Sequence, residues 1–425
     1  MGERPKWKPE RLREAHAHIH AHSVTKGFWV FDASWCASVD DFFREVQERL
    51  DFLKDRAGPI MGTGARPEGW SGRGWPTLSE LDEVVPKRPF CCWCFDYHSL
   101  LANSKALALA GIDDRSKDPV GGSIGRDESW QPNGVLYESA AGAMWDLMVS
   151  QTGGMGDIFE GTLDLTGEWF FEIHDLKSQP WLGPGLKSVA KDHGLYGKYV
   201  LYPLVEDIPE VLKTHRDWQC DQIRLGGGKI FVDGTLNSRT AWMLHPFADG
   251  RAEHPSGMQL MSDKAIEDAI RLCAGEGLQL AAHAIGDAAV RAVLDATQRA
   301  NVPRDMVRIE HSEVIDEADV PRFAELGVIA SVQPCHLLYD IEALRRACPD
   351  RLERVLPLRQ LIDSGMKPGR DIMFGSDTPI VRPDPQDSIL AAVNRGRSDM
   401  DLKDGIAPGQ AISEEEAWAC FDADA

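Results

Sequence analysis

The chain has 425 residues, enough for one large domain or two medium ones, with the apolar content of a globular protein at 43% hydrophobic. Its 46 Lys and Arg stand against 67 Asp and Glu, a formal charge of -21 that argues against nucleic acid and anionic membrane surfaces as partners and leaves small molecules. The longest apolar runs, such as Leu278 to Ala282, are too short to span a bilayer, and the charged N-terminus lacks a signal-peptide core; a cytoplasmic protein is expected.

In chain order, the first feature is Glu14-Ala15-His16-Ala17-His18-Ile19-His20-Ala21-His22, with four His at alternate positions. Alternate side chains of a strand share one side, so His16 and His18 could grip one metal ion; a solvated polar strand is the plainer alternative. Val39, Phe42, Phe43, Val46, Leu50 and Leu53 recur at helical spacing. Residues 62–170 are rich in Gly, Trp and Pro and are read as an insertion shaping a pocket within a single domain, 1–425. Cys91, Cys92 and Cys94 lie in a strand-like run from Arg88 to Tyr97 without a second Cys pair at zinc spacing, so they are read as packing. The nine cysteines form an odd set with no framework, which predicts free thiols.

From residue 220 onward, short apolar runs alternate with amphipathic helices, the pattern of parallel strands joined by crossover helices. Gln222 to Asp233 reads as a strand. Ser262 caps a helix carrying Ala265, Ile266, Ala269, Ile270 and Cys273 on one face and ending at Gly277. Leu278 to His283 is the next strand, and a helix opens at Asp287. Met306 to His311 is a strand, Asp316 to Leu326 a helix stopped by Gly327, and Val328 to Gln333 a strand. Arg354 to Asp363 reads as a helix stopped by Gly365, and Asp371 to Ser376 as a strand. The fold class expected is α/β, a (β/α)₈ barrel with an insertion in its N-terminal half. His283, His311 and Asp377 each close one of these strands, and in such barrels the strand ends converge on one face. Each alone could be an ordinary core or surface residue.

Glu14-Ala15-His16-Ala17-His18, Gly228-Lys229-Ile230-Phe231-Val232-Asp233-Gly234, His283-Ala284-Ile285-Gly286-Asp287, Ile309-Glu310-His311 and Gly375-Ser376-Asp377 resemble the ordered motifs of the YtcJ-like branch of the amidohydrolases. Further matches are Asp96-Tyr97-His98, Asn103-Ser104-Lys105-Ala106-Leu107, Gly121-Gly122-Ser123-Ile124, Asn237-Ser238-Arg239-Thr240-Ala241 and Gln333-Pro334-Cys335-His336. The resemblance implies that His16, His18 and Asp377 hold one divalent metal ion and His283 with His311 a second. Lys229 would bridge the two if converted into a carbamate by CO₂; the alternative is an ordinary pocket Lys and a single ion. Zinc suits the imidazole and carboxylate set, and Mn, Fe, Co or Ni also fit.

The implied chemistry is hydrolysis of an amide, formamide or cyclic amide C–N bond of a small organic substrate, by a water whose pKa the metal lowers toward ~7 and with Asp377 as general base. The resemblance further puts His98, Arg239 and His336 near the substrate and His174 with Asp175 behind the metal ligands. Rival readings are an esterase, lactonase or phosphoesterase, and a non-catalytic protein that binds metal or a small ligand. Two departures stand out. Glu14 replaces the usual Asp, and the extra His20 and His22 would let the ligand pair slip to His18 and His20. The β-sandwich usual in the family is expected to be missing or truncated, and a homodimer would cover the apolar surface this leaves.

Overall fold

The computed structural model describes residues 7–26, 29–95, 97–119, 121–151, 156–192, 194–250 and 252–425. Asp96, part of one quoted motif, lies outside them. The chain divides into two units, Met1–His20 with Thr162–Ala425, and Ala21–Gly161. The strands in chain order are β1 (Leu12–Ala17), β2 (Val30–Asp32), β3 (Ile60–Ala65), β4 (Phe90–Cys94), β5 (Ser99–Ala102), β6 (Gly122–Arg126), β7 (Pro132–Glu138), β8 (Phe170–Ser178), β9 (Lys198–Pro203), β10 (Ile223–Leu225), β11 (Gly227–Phe231), β12 (Gln279–Ala284), β13 (Val307–His311), β14 (Ile329–Val332) and β15 (Ile372–Phe374).

In the first unit the named strands pair only in parallel, as one sheet ordered β1-β8-β9-β10 and another ordered β11-β12-β13-β14-β15. Isolated parallel bridges join Leu204, just past β9, to Lys229 in β11, and Ala17 in β1 to Thr378, just past β15. Helices alternate with these strands because their sequences carry a buried stripe and punctuated ends. Ser262 accepts a hydrogen bond from the Ala265 amide, and the following helix Asp263–Gly275 buries Ile266, Ala269, Ile270 and Cys273. Helix Asp287–Ala300 follows β12, and Gly327, at φ 66°, ends helix Val320–Leu326.

Several boundaries depart from the sequence reading. The strand expected over Gln222 to Asp233 breaks at Gly226 into β10 and β11; a Cβ at Gly226 would stand 2.4 Å from Val200 Cγ1. The helix expected from Asp316 begins at Val320, where Pro321 falls in the first turn. The one expected from Arg354 is a 3₁₀ turn, Leu352–Arg354, followed after Pro357 by helix Leu358–Asp363. At the N-terminus β1 ends at Ala17, and His20 and His22 belong to helix Ile19–Lys26 rather than to a continuing strand.

The second unit contains a six-stranded sheet ordered β2-β3-β4-β5-β7-β6, parallel over β2 to β4 and antiparallel beyond. Its core packs Phe31, Phe90 and Trp70 with Phe42 of helix Val39–Phe52 and Trp145 of helix Ser139–Ser150. Cys91, Cys92 and Cys94 are buried free thiols, and burial pushes the first two up in pKa, as packing residues require. Among the described residues no helix is long and apolar enough to cross a membrane.

Candidate metal centre

His16 is the penultimate residue of the buried strand β1, and His18 lies one residue past its end. Asp377 follows β15; its amide donates to the His16 carbonyl at 2.7 Å, while the His18 amide donates to the Thr378 carbonyl at 2.9 Å. These ties draw three side chains together. Asp377 Oδ1 lies 3.2 Å from His16 Nε2 and 3.0 Å from His18 Nε2. The other ring nitrogens point away: His16 Nδ1 meets Glu310 Oε2 at 2.6 Å, and His18 Nδ1 meets the Leu176 carbonyl at 2.5 Å. A backbone carbonyl can only accept, so His18 donates its Nδ1 proton to Leu176 and leaves Nε2 on the Asp377 side.

The second group lies beside the first. His311 ends β13 at φ 70°, with its ring centroid 4.8 Å from that of His16 and 4.5 Å from that of His283. Its Nδ1 is buried without a hydrogen bond among the described residues. His283 Nε2 lies 3.1 Å from the Gly234 carbonyl and 3.6 Å from Asp233 Oδ1. His336 Nε2 lies 3.2 Å from the Ser376 carbonyl and 3.9 Å from Asp377 Oδ2. His16, His18 and Asp377 form one group with ligand atoms within 4.8 Å of one another, and His311, His336 and Asp377 form another. Inclusion of His336 departs from the sequence reading, which set it near the substrate.

Lys229 in β11 is wholly buried; its Nζ makes no hydrogen bond among the described residues and lies 4.9 Å from the Phe231 ring centroid. Burial lowers its pKa to about 8 against the opposing pull of Glu310 and Asp377. For Asp377, burial favours the neutral acid, but His16 and His18 outweigh it and hold the carboxyl well below its usual range. Burial also pulls His16 down, and Asp377 with Glu310 outweighs that and raises its pKa above the ordinary value. Non-glycine residues with positive φ gather here: His311, Ser312 at 45° and Asp377 at 62°. Such strain is retained where the surroundings over-determine it, commonly at functional sites.

The remaining expected residues fall as follows. His174 is buried between Arg308 and Glu172, and Asp175 Oδ1 accepts from the Ile19 amide at 2.5 Å, with burial raising its pKa to about 7. Arg239 commits Nε and Nη2 to Asp249, both at 2.6 Å, and Nη1 to the Leu236 and Asn237 carbonyls. His98 belongs to the second unit, where its Nδ1 meets Glu138 Oε2 at 2.7 Å. His20 stacks edge-on against Trp181 with ring centroids 5.1 Å apart, apart from the Asp377 group. Sequence reasoning passed over Arg308 and quoted Glu310 in a motif without giving it a role. Their signal was two charges at alternate positions of an otherwise apolar strand, which puts both on one buried face.

Buried Nε2 and Nδ1 atoms, a buried carboxylate oxygen on two imidazoles and an unpaired lysine amine are donors suited to a divalent cation, so the residues fit such an ion. The Amidohydrolase family model matches residues 12–421, and the chain belongs to that family of hydrolases. It is similar to YtcJ of Bacillus subtilis (strain 168), at 28% identity over 91% of this chain and 73% of that one. It is similar also to the N-substituted formamide deformylase of Arthrobacter pascens, at 28% identity over 81% of this chain and 65% of that one. Among solved structures it resembles an uncharacterized metal-dependent hydrolase from Pyrococcus horikoshii OT3, with TM-score 0.76 and 22% identity over 96% of this chain and 78% of that one.

Proposed function

We propose that the chain hydrolyses the C–N bond of an amide, formamide or cyclic amide in a small organic substrate, at a zinc centre held by His16, His18 and Asp377. The observation that carries this is the convergence of two Nε2 atoms on Asp377 Oδ1 while both Nδ1 atoms are held elsewhere. Support for the (β/α)₈ barrel comes from the two parallel bridges, which would close β1, β8, β9 and β11 to β15 into a ring of eight strands. The formamide deformylase similarity favours the C–N class.

A bound divalent ion supplies Lewis-acid polarisation of a carbonyl and acidification of water. Asp377 takes the proton of the attacking water at Oδ2 and delivers it to the leaving nitrogen; as the water oxygen bonds to the carbonyl carbon, the C–N bond breaks. His336 lies on the Oδ2 side, His311 packs beside His336, and His283 packs on His311. Lys229, with its pKa brought to about 8, is partly the neutral amine near neutral pH, the form that adds CO₂ to give a carbamate and release a proton. That carbamate would offer two anionic oxygens toward a second ion at His283 and His311. His336 is proposed as a substrate contact, and Arg239, tied to Asp249, orders its own loop. Residues 62–170 are proposed to form the segment that sets substrate size.

The test is a panel of N-acyl amines, N-substituted formamides, cyclic amides, esters and lactones, run on zinc-loaded protein and on Asp377→Asn. Turnover of a C–N substrate that falls about 10²–10⁴-fold in the variant supports the reading. Turnover of lactones or esters alone overturns the C–N assignment.

A further inference from the structure

Behind His16 runs a continuous, largely buried chain of polar and charged groups. Arg308, 1% exposed, donates from Nε to Glu310 Oε1, from Nη1 to His174 Nδ1 at 2.7 Å, and from Nη2 to the Ala15 carbonyl at 2.6 Å and Ser331 Oγ at 2.7 Å. His174 Nε2 lies 3.0 Å from Glu172 Oε1, and that oxygen also accepts from Arg13 Nε at 3.1 Å. Glu310, wholly buried, ends the chain on His16 Nδ1 at 2.6 Å.

Hydrogen-bond chemistry fixes where the protons are. A guanidinium has no lone pair to offer, so His174 Nδ1 must accept, which makes His174 a neutral imidazole with its proton on Nε2, donated to Glu172. Both of its nitrogens are thereby used. Glu310, engaged by two arms of Arg308, is an anion that only accepts, so His16 must carry a proton on Nδ1. His16 Nε2, although 3.2 Å from Asp377 Oδ1, makes no hydrogen bond among the described residues, so a neutral His16 protonated on Nδ1 has its lone pair there. His18 keeps its Nδ1 proton through the Leu176 carbonyl, without this chain.

We propose that Glu310 is the positioning residue that sets the His16 tautomer, with Arg308 holding Glu310 anionic and His174 holding Arg308 in place. The functional importance of this rests on the reading that His16 Nε2 binds metal; the tautomer itself does not. Glu310→Gln is nearly isosteric but should invert the pattern. The amide oxygen faces Arg308, which leaves the NH₂ toward His16 Nδ1, and the imidazole proton moves to Nε2.

The experiment is two-bond ¹⁵N–¹H correlation on histidine-labelled, zinc-free protein at mildly alkaline pH, with ring signals assigned by their loss in His16→Gln and His18→Gln. Zinc affinity by chelator competition is measured alongside. Expected is an Nδ1-protonated His16 in the wild type and an Nε2-protonated one in Glu310→Gln, with His18 unchanged and zinc affinity lowered about 10–100-fold. An Nε2-protonated His16 in the wild type overturns the proposal, as does a Glu310→Gln variant with an unmoved tautomer and unmoved affinity. If Glu310→Gln does not fold, the wild-type spectrum alone decides. If the wild type binds no zinc, the metal reading fails while the ring signals still judge the tautomer.

Discussion

A methyl group at residue 375 would stand 2.5 Å from the His16 backbone nitrogen and 2.6 Å from Glu14 Oε1. Glu14 Oε1 itself accepts from the Ser376 and His16 amides at 2.8 and 3.0 Å, so Gly375 is where β1 and the Asp377 segment are stitched together. Gly375→Ala is expected to cost about 1–3 kcal/mol and lower zinc retention, read by thermal melting and metal analysis. Gly275→Ala, which meets nothing within 4 Å, should leave both unchanged or slightly improved. At this scale pH acts through His16. Its folded pKa is raised above the ordinary value, so its proton stabilises the zinc-free protein at acid pH, a contribution lost as pH rises through the folded pKa. Zinc needs the unprotonated ring, so the zinc-induced rise in melting temperature is expected to grow with pH across that window. A rise that shrinks with pH would contradict His16 as a ligand. Of the site residues, those closing apolar runs, His283, His311 and Asp377, could be read in the sequence because strand ends are locally marked. The clamp of Arg308 between His174 and Glu310 could not, since one partner lies 134 residues away and each charge is tolerable only because the others are there.

Elements were legible where a cap and a buried stripe coincide. Helices Asp263–Gly275 and Asp287–Ala300 fall where Ser262 and the spacing of apolar residues place them. Helices with Pro near their start were read too long, because the run of helix formers before Pro321 and Pro357 hides the restriction that Pro puts on the preceding backbone. The β6–β7 hairpin was not legible: Gly122, Gly125, Pro132 and Gly134 give it the composition of a loop, and cross-strand pairing rather than propensity makes it a sheet. Near the C-terminus, Ser413 and Glu416 form a reciprocal cap on helix Glu414–Ala419, which buries Ala417 and Trp418. Ser413→Ala is expected to cost about 1 kcal/mol in urea unfolding without changing metal content. An equal loss of metal would mean that this helix supports the centre directly.

On the scale of the whole molecule, the alternation of strand and helix after residue 220 conveys the parallel sheet β11 to β15 of the first unit, because each crossover leaves its own periodic mark, while β1, β8 and β9 before it were not read as its partners. The second unit was hidden, since its short strands carry aromatic and Cys residues between Gly-rich turns and its sheet mixes both directions. The proposed centre draws on both ends of the chain, with His16 and Asp377 brought together by the bridge from Ala17 to Thr378. Metal content per chain, on protein purified without chelator, therefore tests the account most directly when wild type, His16→Ala and His20→Ala are compared. The account predicts that wild type and His20→Ala retain divalent metal and that His16→Ala loses it. Retention in His16→Ala, or loss in His20→Ala alone, would contradict it.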